Sequence, residues 1–445
     1  MKRIVMMMST LLLTLCIYGQ KKWTLKECID YAMENNLSLQ QARLQKQSAT
    51  EDRKQAQAAL FPSLSASTSQ NLGYRPWLET GTTTVTNGTV NTKVNKTYYN
   101  GTYGLNASWT VWNGNQNRNQ VKIDKLAEEQ ADLNLEETAN SIQEKIAQLY
   151  VQILYLNEAI HVNKESLETS KKNEERGKQI VEVGQMSKAD LAQLTAQRAT
   201  DEYNIVEAES NLANYKLQLK QLLEITSDEP FEIDIPSTTD QQALAEIPSL
   251  GNVYDKALAT RPEIQNSKLD LQSSDLQIKM AKASYLPTLS LSGGIGTSTS
   301  SMSSNNWGSQ MKTNLDASIG ATLSFPIFDN RKAKTAVNKA KIQREQALLN
   351  IKDQEKQLYA TIEGYWLDAN TNQQRFKAAC SSVDSEQASY DLLSEQFNVG
   401  LKNIIELLTG KDKLLTAQQN RLQSKYMTIL DQQLLKFYQG ETIDL

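Results

Sequence analysis

The sequence predicts a mostly α-helical chain that also carries the strands of a membrane β-barrel, organised as a duplicated helix–strand–strand–helix–helix unit. Three observations lead there: an internal repeat, two very long proline-free helical tracts, and short strands with one apolar and one polar face. The repeat comes first because it relates everything else. Segments 24–62 and 249–287 align without a gap at an offset of 225. Leu25/Leu250, Asp30/Asp255, Ala32/Ala257, Gln40/Gln265, Leu44/Leu269, Gln47/Gln272, Lys54/Lys279 and Pro62/Pro287 are identities. A second stretch aligns at an offset of 216, through Trp109/Phe325, Val111/Ile327, Trp112/Phe328, Val121/Val337, Val183/Val399, Gly184/Gly400 and Leu191/Leu407. A repeat this long is a duplicated substructure and not a short solenoid unit.

The first element is a leader. Lys2 and Arg3 precede an apolar run from Ile4 to about Leu15, followed by Cys16 and the small residue Gly19. That order reads as a secretory signal over 1–19, too short to span a membrane as a mature helix. Lipidation on Cys16 is the competing reading. No later apolar run approaches the roughly 20 residues a membrane helix needs. The 445-residue chain balances 47 basic against 51 acidic side chains without a basic cluster, which argues against nucleic acid. Cys28 and Cys380 sit in helical segments and read as small core side chains.

Thr24-Leu25-Lys26-Glu27 has the form of a capping box and starts a helix expected to reach about Leu60. Pro62 stops it, as Pro287 does in the second copy, because proline lacks the amide and clashes with the preceding turn. Alternation with period two follows. Leu105, Ala107, Trp109 and Val111 interleave with Asn106, Ser108 and Thr110. In the second copy Leu289 and Leu291 alternate with serines, and Leu315, Ala317, Ile319, Ala321, Leu323 and Phe325 with polar or small residues. Each copy thus has two strands around a polar loop, near 82–96 and 296–306. Strands of about 10 residues with one apolar face, and aromatics near their ends, suit the half-buried sheet of a soluble sandwich or a transmembrane barrel; the strands alone favour the sandwich, and the export signal and long helices turn the reading to the barrel. Four strands cannot close one, since about eight is the small limit, so several chains must share it; three would supply twelve.

Segment 115–183 contains no proline and one glycine, Gly177. Ile142, Ile146, Leu149, Ile153, Leu156 and Ile160 describe a heptad seam. At 1.5 Å per residue the helix would run about 100 Å, so it must pack along other long helices. Segment 329–399 reads likewise. Two half-length helices flank each long one, 187–223 in the first copy and about 403–438 in the second. Laid end to end, two short helices match one long one, which implies an antiparallel cylinder. The resulting divisions are 1–19, 20–61, 62–112, 113–224, 225–250, 251–286, 287–328, 329–438 and 439–445: signal, helices, strands, hairpin, linker, helix, strands, hairpin and tail.

This plan resembles the TolC family of outer-membrane efflux and secretion ducts. The resemblance covers essentially the whole mature chain. It rests on the order of the duplicated blocks, on the Arg261-Pro262-Glu263 segment, and on Val183-Gly184-Gln185-Met186-Ser187 paired with Val399-Gly400-Leu401-Lys402-Asn403. It implies a homotrimer in the outer membrane of a Gram-negative bacterium, with a twelve-stranded barrel above a periplasmic helical tunnel. Pro62 and Pro287 would mark the barrel–tunnel junction, and 225–250 with the tail would form a belt. The Val-Gly turns would be the periplasmic tips, exposed to an adaptor (membrane fusion) protein, with outer-membrane lipid around the barrel. By distance from the turn glycines, the resemblance puts the acidic member of a closing link at Asp190, its basic partner at Lys402 and a ring carboxylate at Glu406. The sequence departs from the family pattern at Phe397, where a tyrosine is expected, and at Thr409, where a second ring acid is expected. Three copies of Glu406 around one axis would attract protons or cations.

An enzyme is not indicated. The one histidine, His161, lies on a polar helix, and no glycine-rich phosphate loop or nucleophile elbow appears. No cofactor is expected. Transport energy must then come from an inner-membrane RND or ABC transporter, with this chain as the passive duct. Two other readings are weaker. A periplasmic adaptor would carry one hairpin between compact β domains, and a trimeric coiled-coil surface protein would show one contiguous stalk without duplication.

Overall fold

The capping box forms as the sequence predicts. In the computed structural model, which describes residues 22–77, 81–85, 88–92, 96–226, 231–236 and 238–444, Thr24 Oγ1 accepts from the Glu27 amide at 3.2 Å. The Glu27 carboxylate accepts from the Thr24 amide at 3.0 Å. The expected leader over 1–19 and Cys16 lie outside the described residues.

The helix that follows is shorter than expected. Strand β1 (Lys22–Trp23) leads into α1 (Leu25–Asn35), which stops at Asn36 with ψ 130° before α2 (Leu37–Ala58) begins. Asn36 explains the break. Its side-chain oxygen accepts from the Ser38 and Leu39 amides at 2.9 and 3.4 Å, and its amide donates to the Leu222 carbonyl at 2.9 Å. An asparagine that bonds neighbouring backbone competes with helix continuation and caps the next segment.

Pro62 then turns the chain into β2 (Ser63–Tyr74), and β5 (Thr97–Trp112) returns. Between them the expected loop contains a ladder of its own, β3 (Gly81–Val85) with β4 (Gly88–Thr92). Its threonines and valines favour extended backbone, which a reading based on polarity misses. Asn113 caps α3 (Gln116–Glu182) after two left-handed residues, Gly114 and Asn115 at φ 66° and 67°. The turn of Gly184 leads to α4 (Lys188–Leu222). The linker holds β6 (Glu232–Ile233) and a short α5 (Asp240–Ala243).

The second half runs α6 (Leu250–Thr260), α7 (Pro262–Ala283), β7 (Thr288–Ser300), α8 (Trp307–Thr313), β8 (Asp316–Ser324), α9 (Lys332–Asn398) and α10 (Ile404–Tyr438). The expected 296–306 loop is therefore partly strand, and α8 follows it. The helices match in length: α1 and α6 have 11 residues, α2 and α7 22, α3 and α9 67, and α4 and α10 35. The junctions match too. Asp329 accepts from the Ala333 amide at 2.7 Å after left-handed Asn330 and Arg331, where the first half uses Asn113, Gly114 and Asn115. Arg261, with ψ 131°, precedes Pro262 where the first half has Asn36 and Leu37.

Two compact units divide the chain: one of 1–44, 132–266 and 351–445, the other of 45–131 and 267–350. The core of the first gathers the α3 seam (Ile142, Ile146, Ile153) with Cys28, Leu39, Leu219, Val253, Ile264, Ile362 and Leu434. β1 pairs in parallel with β6, and Tyr150 donates to the Asp234 carbonyl at 2.6 Å beneath that pair. The linker is bound to α9 and α10 by polar contacts. Gln373 donates to the Ala243 and Ala245 carbonyls at 3.0 and 2.8 Å, and Arg421 reaches Asp240 at 2.6 Å. Cys28 is buried, Cys380 is half-buried, and no disulfide joins them. His161 is exposed.

Two predictions follow from this packing. Asn36 already has the extended ψ that a residue before proline needs, and the Leu37 amide makes only a 3.5 Å bond to Glu224. Leu37→Pro should therefore be neutral or raise stability by about 0.4–1 kcal/mol, read as the thermal midpoint; loss of folded protein would contradict the matched junctions. Burial pushes the Asp431 carboxyl up to about 7 despite the bond from Asn372 at 2.9 Å. The native state then binds this proton more tightly than the unfolded chain, so stability falls as pH rises from about 4 to about 7. Asp431→Asn should raise the thermal midpoint at pH 8 and leave it nearly unchanged at pH 4; an equal change at both would refute the assignment.

Candidate functional site

Two places concentrate unusual chemistry, and the first is the sheet. Its order is β2-β5-β7-β8, all neighbours antiparallel. Paired residues share a face, so the register can be read across the strands. One row is Leu64, Ala107, Gly293 and Ile319; the next is Ala66, Leu105, Ile295 and Ala317. The intervening rows on the other face are Ser63, Ser108, Ser292 and Gly320, then Ser65, Asn106, Gly294 and Ser318. One face is thus aliphatic and the other hydroxyl, amide and glycine. Ile319 is 90% exposed and Leu64 75%, so the apolar face is bare within the chain.

Aromatic residues end the apolar band near Pro62 and Pro287. Trp109 pairs with Leu291, and its indole donates to the Leu60 carbonyl at 2.8 Å, satisfying the end of the helical segment. A bulge makes Val111 the extra residue, so Trp112 pairs with Leu289 and joins the apolar face. Phe61, Phe325 and Phe328 are exposed beside this end. The outer edges of β2 and β8 pair with no strand among the described residues.

The second place is the pair of turns joining α3 to α4 and α9 to α10. Gly184 and Gly400 take φ 73° and 77°. In each, the amide after the glycine bonds back five residues, Gln185 to Ile180 at 3.0 Å and Leu401 to Gln396 at 2.9 Å. The glycine amides bond to Val181 and Phe397, both at 3.0 Å. These are paired Schellman ends, and they need the left-handed residue that glycine supplies. Three residues later each chain restarts a helix from a cap. Ser187 accepts from the Asp190 amide at 3.0 Å, and Asn403 from the Glu406 amide at 2.9 Å. Val183, Gln185, Val399 and Leu401 are exposed, while Met186 packs with Phe397, Leu194, Ile404 and Leu407 in a small apolar cluster.

Within the chain the charges at the turns pair locally. Lys402, just before the Asn403 cap, bonds Glu406 in the first turn of α10 at 2.7 Å, and no ion pair joins it to Asp190 among the described residues. Glu406 also closes a capping box on the Asn403 amide at 3.3 Å. Lys402, then that amide, hold the Glu406 carboxyl below the usual range. Glu406 therefore stays ionised within the chain, and its contribution is lost only as pH falls through that lowered value. Phe397 is half-buried in the cluster, and Thr409 is exposed.

Sequence reasoning missed the strongest polar contact between the hairpins. Lys411 on α10 bonds Asp201 on α4 and, at 2.7 Å, Ser170 on α3; Ser170 in turn donates to Asp201 at 2.6 Å. The Lys411 and Asp201 side chains are 4% and 2% exposed. Gln197 to Asp412 at 3.1 Å and Gln419 to Asn163 at 3.0 Å extend the same seam. In sequence each residue looks like one more charge on a polar helix; only the apolar neighbours Leu407, Leu414 and Ile205 hint at burial. Removing one member strands a buried charge, so Lys411→Ala should cost about 3–5 kcal/mol in thermal unfolding. Lys411→Met with Asp201→Leu should recover most of that loss; equal destabilisation in single and double variants would show the pair is not coupled.

The model of the family described as outer membrane efflux protein matches residues 28–224 and 253–441. The outer membrane efflux protein BepC of Brucella suis is 22% identical over 363 residues, covering 80% of this chain and 75% of its own. The outer membrane protein TolC of Escherichia coli is 25% identical over 372 residues, covering 74% of this chain and 72% of its own. Among solved structures, CusC superposes with a TM-score of 0.79 at 17% identity over 95% of each chain. The chain belongs to the outer membrane efflux protein family, and is a passive channel of the outer membrane and not an enzyme.

Proposed function

We propose that three copies of this chain close a twelve-stranded barrel in the outer membrane, continued by a periplasmic tunnel of helices. The observation that carries this reading is the sheet: one aliphatic face, one polar face and two open edges. Unpaired backbone cannot face hydrocarbon, so such a sheet enters a bilayer only as part of a closed barrel. The apolar face would meet lipid, and the Ser/Gly/Asn face would line water. Matching helix lengths in the two halves support the duplicated unit, which gives each copy two hairpins for the tunnel wall.

The turns at 183–187 and 399–403 would be the periplasmic tips, where a membrane fusion adaptor docks and an inner-membrane RND or ABC transporter supplies the energy. Their exposed Val183, Gln185, Val399 and Leu401 support docking. Asp190, Phe397, Lys402, Glu406 and Thr409 would surround the constriction. Lys402 neutralises part of the Glu406 charge, so a ring of three such pairs would be less negative than three bare carboxylates. A hydrated polar conduit of this kind passes varied solutes without holding any tightly.

Neither tip glycine has an atom within 4 Å of where a Cβ would sit, so bulk there meets solvent and not the fold. Gly400→Trp should therefore preserve most of the trimer, at a backbone cost of about 1–2 kcal/mol per chain, and abolish efflux. The test is drug susceptibility of a strain relying on this duct, with trimer recovery from the outer membrane as control. Undiminished resistance would overturn tip docking, and a monomer that never enters the membrane would overturn the barrel.

A further inference from the structure

Helix α8 was not expected from the sequence, and its position on the sheet is specific. Gln310 is buried and pins it: the side chain accepts from the Ser300 amide at 2.7 Å and donates to the Ser300 and Asn305 carbonyls at 3.1 and 2.7 Å. Thr297 Oγ1 donates to the Met311 carbonyl at 3.0 Å, and Asn314 to the Ser298 carbonyl at 2.7 Å. Trp307 meets Tyr103 edge-on, with ring centroids 6.2 Å apart.

These contacts decide which face the helix covers. Tyr103 pairs with Thr297, and two residues along the strands Leu105 pairs with Ile295 in the aliphatic rows. Tyr103 and Thr297 therefore belong to the apolar face, at its end away from Pro62 and Pro287. Beyond them that face turns polar, with Thr299 opposite Gly101 and Gln70 beside it. Helix α8 lies over this change, leaving Thr299 only 4% exposed. Beyond its contact with Tyr103, Trp307 stays 56% exposed, Leu315 just after the helix is 61% exposed, and Lys312 between them is exposed.

We propose that α8 is an interfacial lipid-binding element, seated at the headgroup level of the outer membrane with Trp307 in the boundary between headgroups and acyl chains. The inference rests on the barrel reading given above, which makes the aliphatic face the lipid face. Three properties select lipid as the occupant. The helix continues the bare apolar band of the same face and not the hydroxyl-lined one. It shields strand-end hydroxyls that hydrocarbon would not tolerate. It presents an indole, an aliphatic residue and a lysine together, the mixture that favours a water–lipid boundary. From the Trp109 row to the Tyr103 row is about 20 Å along the strands, near the height of an outer-membrane apolar band. The Trp109 and Trp112 end and the Trp307 end would then be the two aromatic girdles.

The test uses the full-length protein reconstituted into phosphatidylcholine vesicles whose acyl chains carry bromine either near the glycerol or near the terminal methyl. The emission component lost in Trp307→Phe is compared with the parent. The proposal expects that component to be quenched by the shallow bromine, more weakly by the deep one, and little by aqueous iodide. Quenching by iodide alone, with Trp109 and Trp112 still quenched by bromolipid, would overturn the role of α8 and leave the barrel standing. If no tryptophan responds to bromolipid and the chain stays in the supernatant, the barrel reading falls and α8 with it. Lys312→Cys carrying an environment-sensitive dye gives a second readout. A blue shift on reconstitution supports the proposal, and no shift in membrane-inserted protein opposes it.

Discussion

An antiparallel sheet with two unpaired edges and one bare aliphatic face is a structure that water and hydrocarbon both reject in isolation. Water rejects the face that carries Leu64, Ile295 and Ile319; hydrocarbon rejects the open backbone of β2 and β8. Only pairing those edges with further strands satisfies both. Every larger proposal for this chain, from copy number to conduit, depends on that single constraint. The hydroxyl face adds direction to it. Ser63, Ser108 and Ser292 lie side by side across three strands, and Ser63 and Ser108 bond at 2.8 Å. A face built this way is wetted at little cost, so a barrel closed from this sheet would enclose water and not side chains.

The helical hairpins solve a different problem, how to reverse direction without burying orphan backbone groups. Each turn ends one helix with a Schellman pair on a left-handed glycine and starts the next with a side-chain cap. Both use the same number of residues, although Gln185, Met186 and Ser187 share no side chain with Leu401, Lys402 and Asn403. The backbone solution is common to both turns while the side chains are free to differ. That separation is useful at a surface that must recognise something, because recognition can change without changing the turn.

What was legible in the sequence tracks how local its physics is. Long helix ends were readable to within a few residues, since a glycine, a cap and the absence of proline act over one turn. The apolar alternation of β5, β7 and β8 was readable for the same reason. The break at Asn36 was not, because asparagine bends a helix only if its side chain finds a partner, here the distant Leu222 carbonyl at 2.9 Å. Its counterpart Pro262 states the break outright, and the alignment of the two halves was the one clue available. The β3–β4 ladder was hidden by composition, as threonine and glycine suit loops and strands alike. Helix α8 was hidden by its length, since seven residues show no periodicity and Gln310 acts only through the end of β7 and the loop after it. Asp190 and Lys402 were brought together by counting from the turns, and within the chain Lys402 has a nearer partner in Glu406, across the Asn403 cap.

The buried Lys411–Asp201 pair shows what such distant contacts accomplish. Two well-packed aliphatic side chains would hold α4 and α10 at least as firmly, because removing two charges from water offsets most of their attraction. What aliphatic residues lack is a preferred register. Lys411 is satisfied only where Ser170 on α3 and Asp201 on α4 face it together. A slip of one helical turn, about 5.4 Å, would separate the two charges and leave both buried without each other. The pair therefore disfavours neighbouring registers more than it stabilises the observed one. Beyond it, toward the turns, the cation at Lys402 is bonded to Glu406 of the adjoining helix. Hairpin alignment is thus set by a buried pair set back from the turns, and the exposed turn residues remain free for a partner to engage.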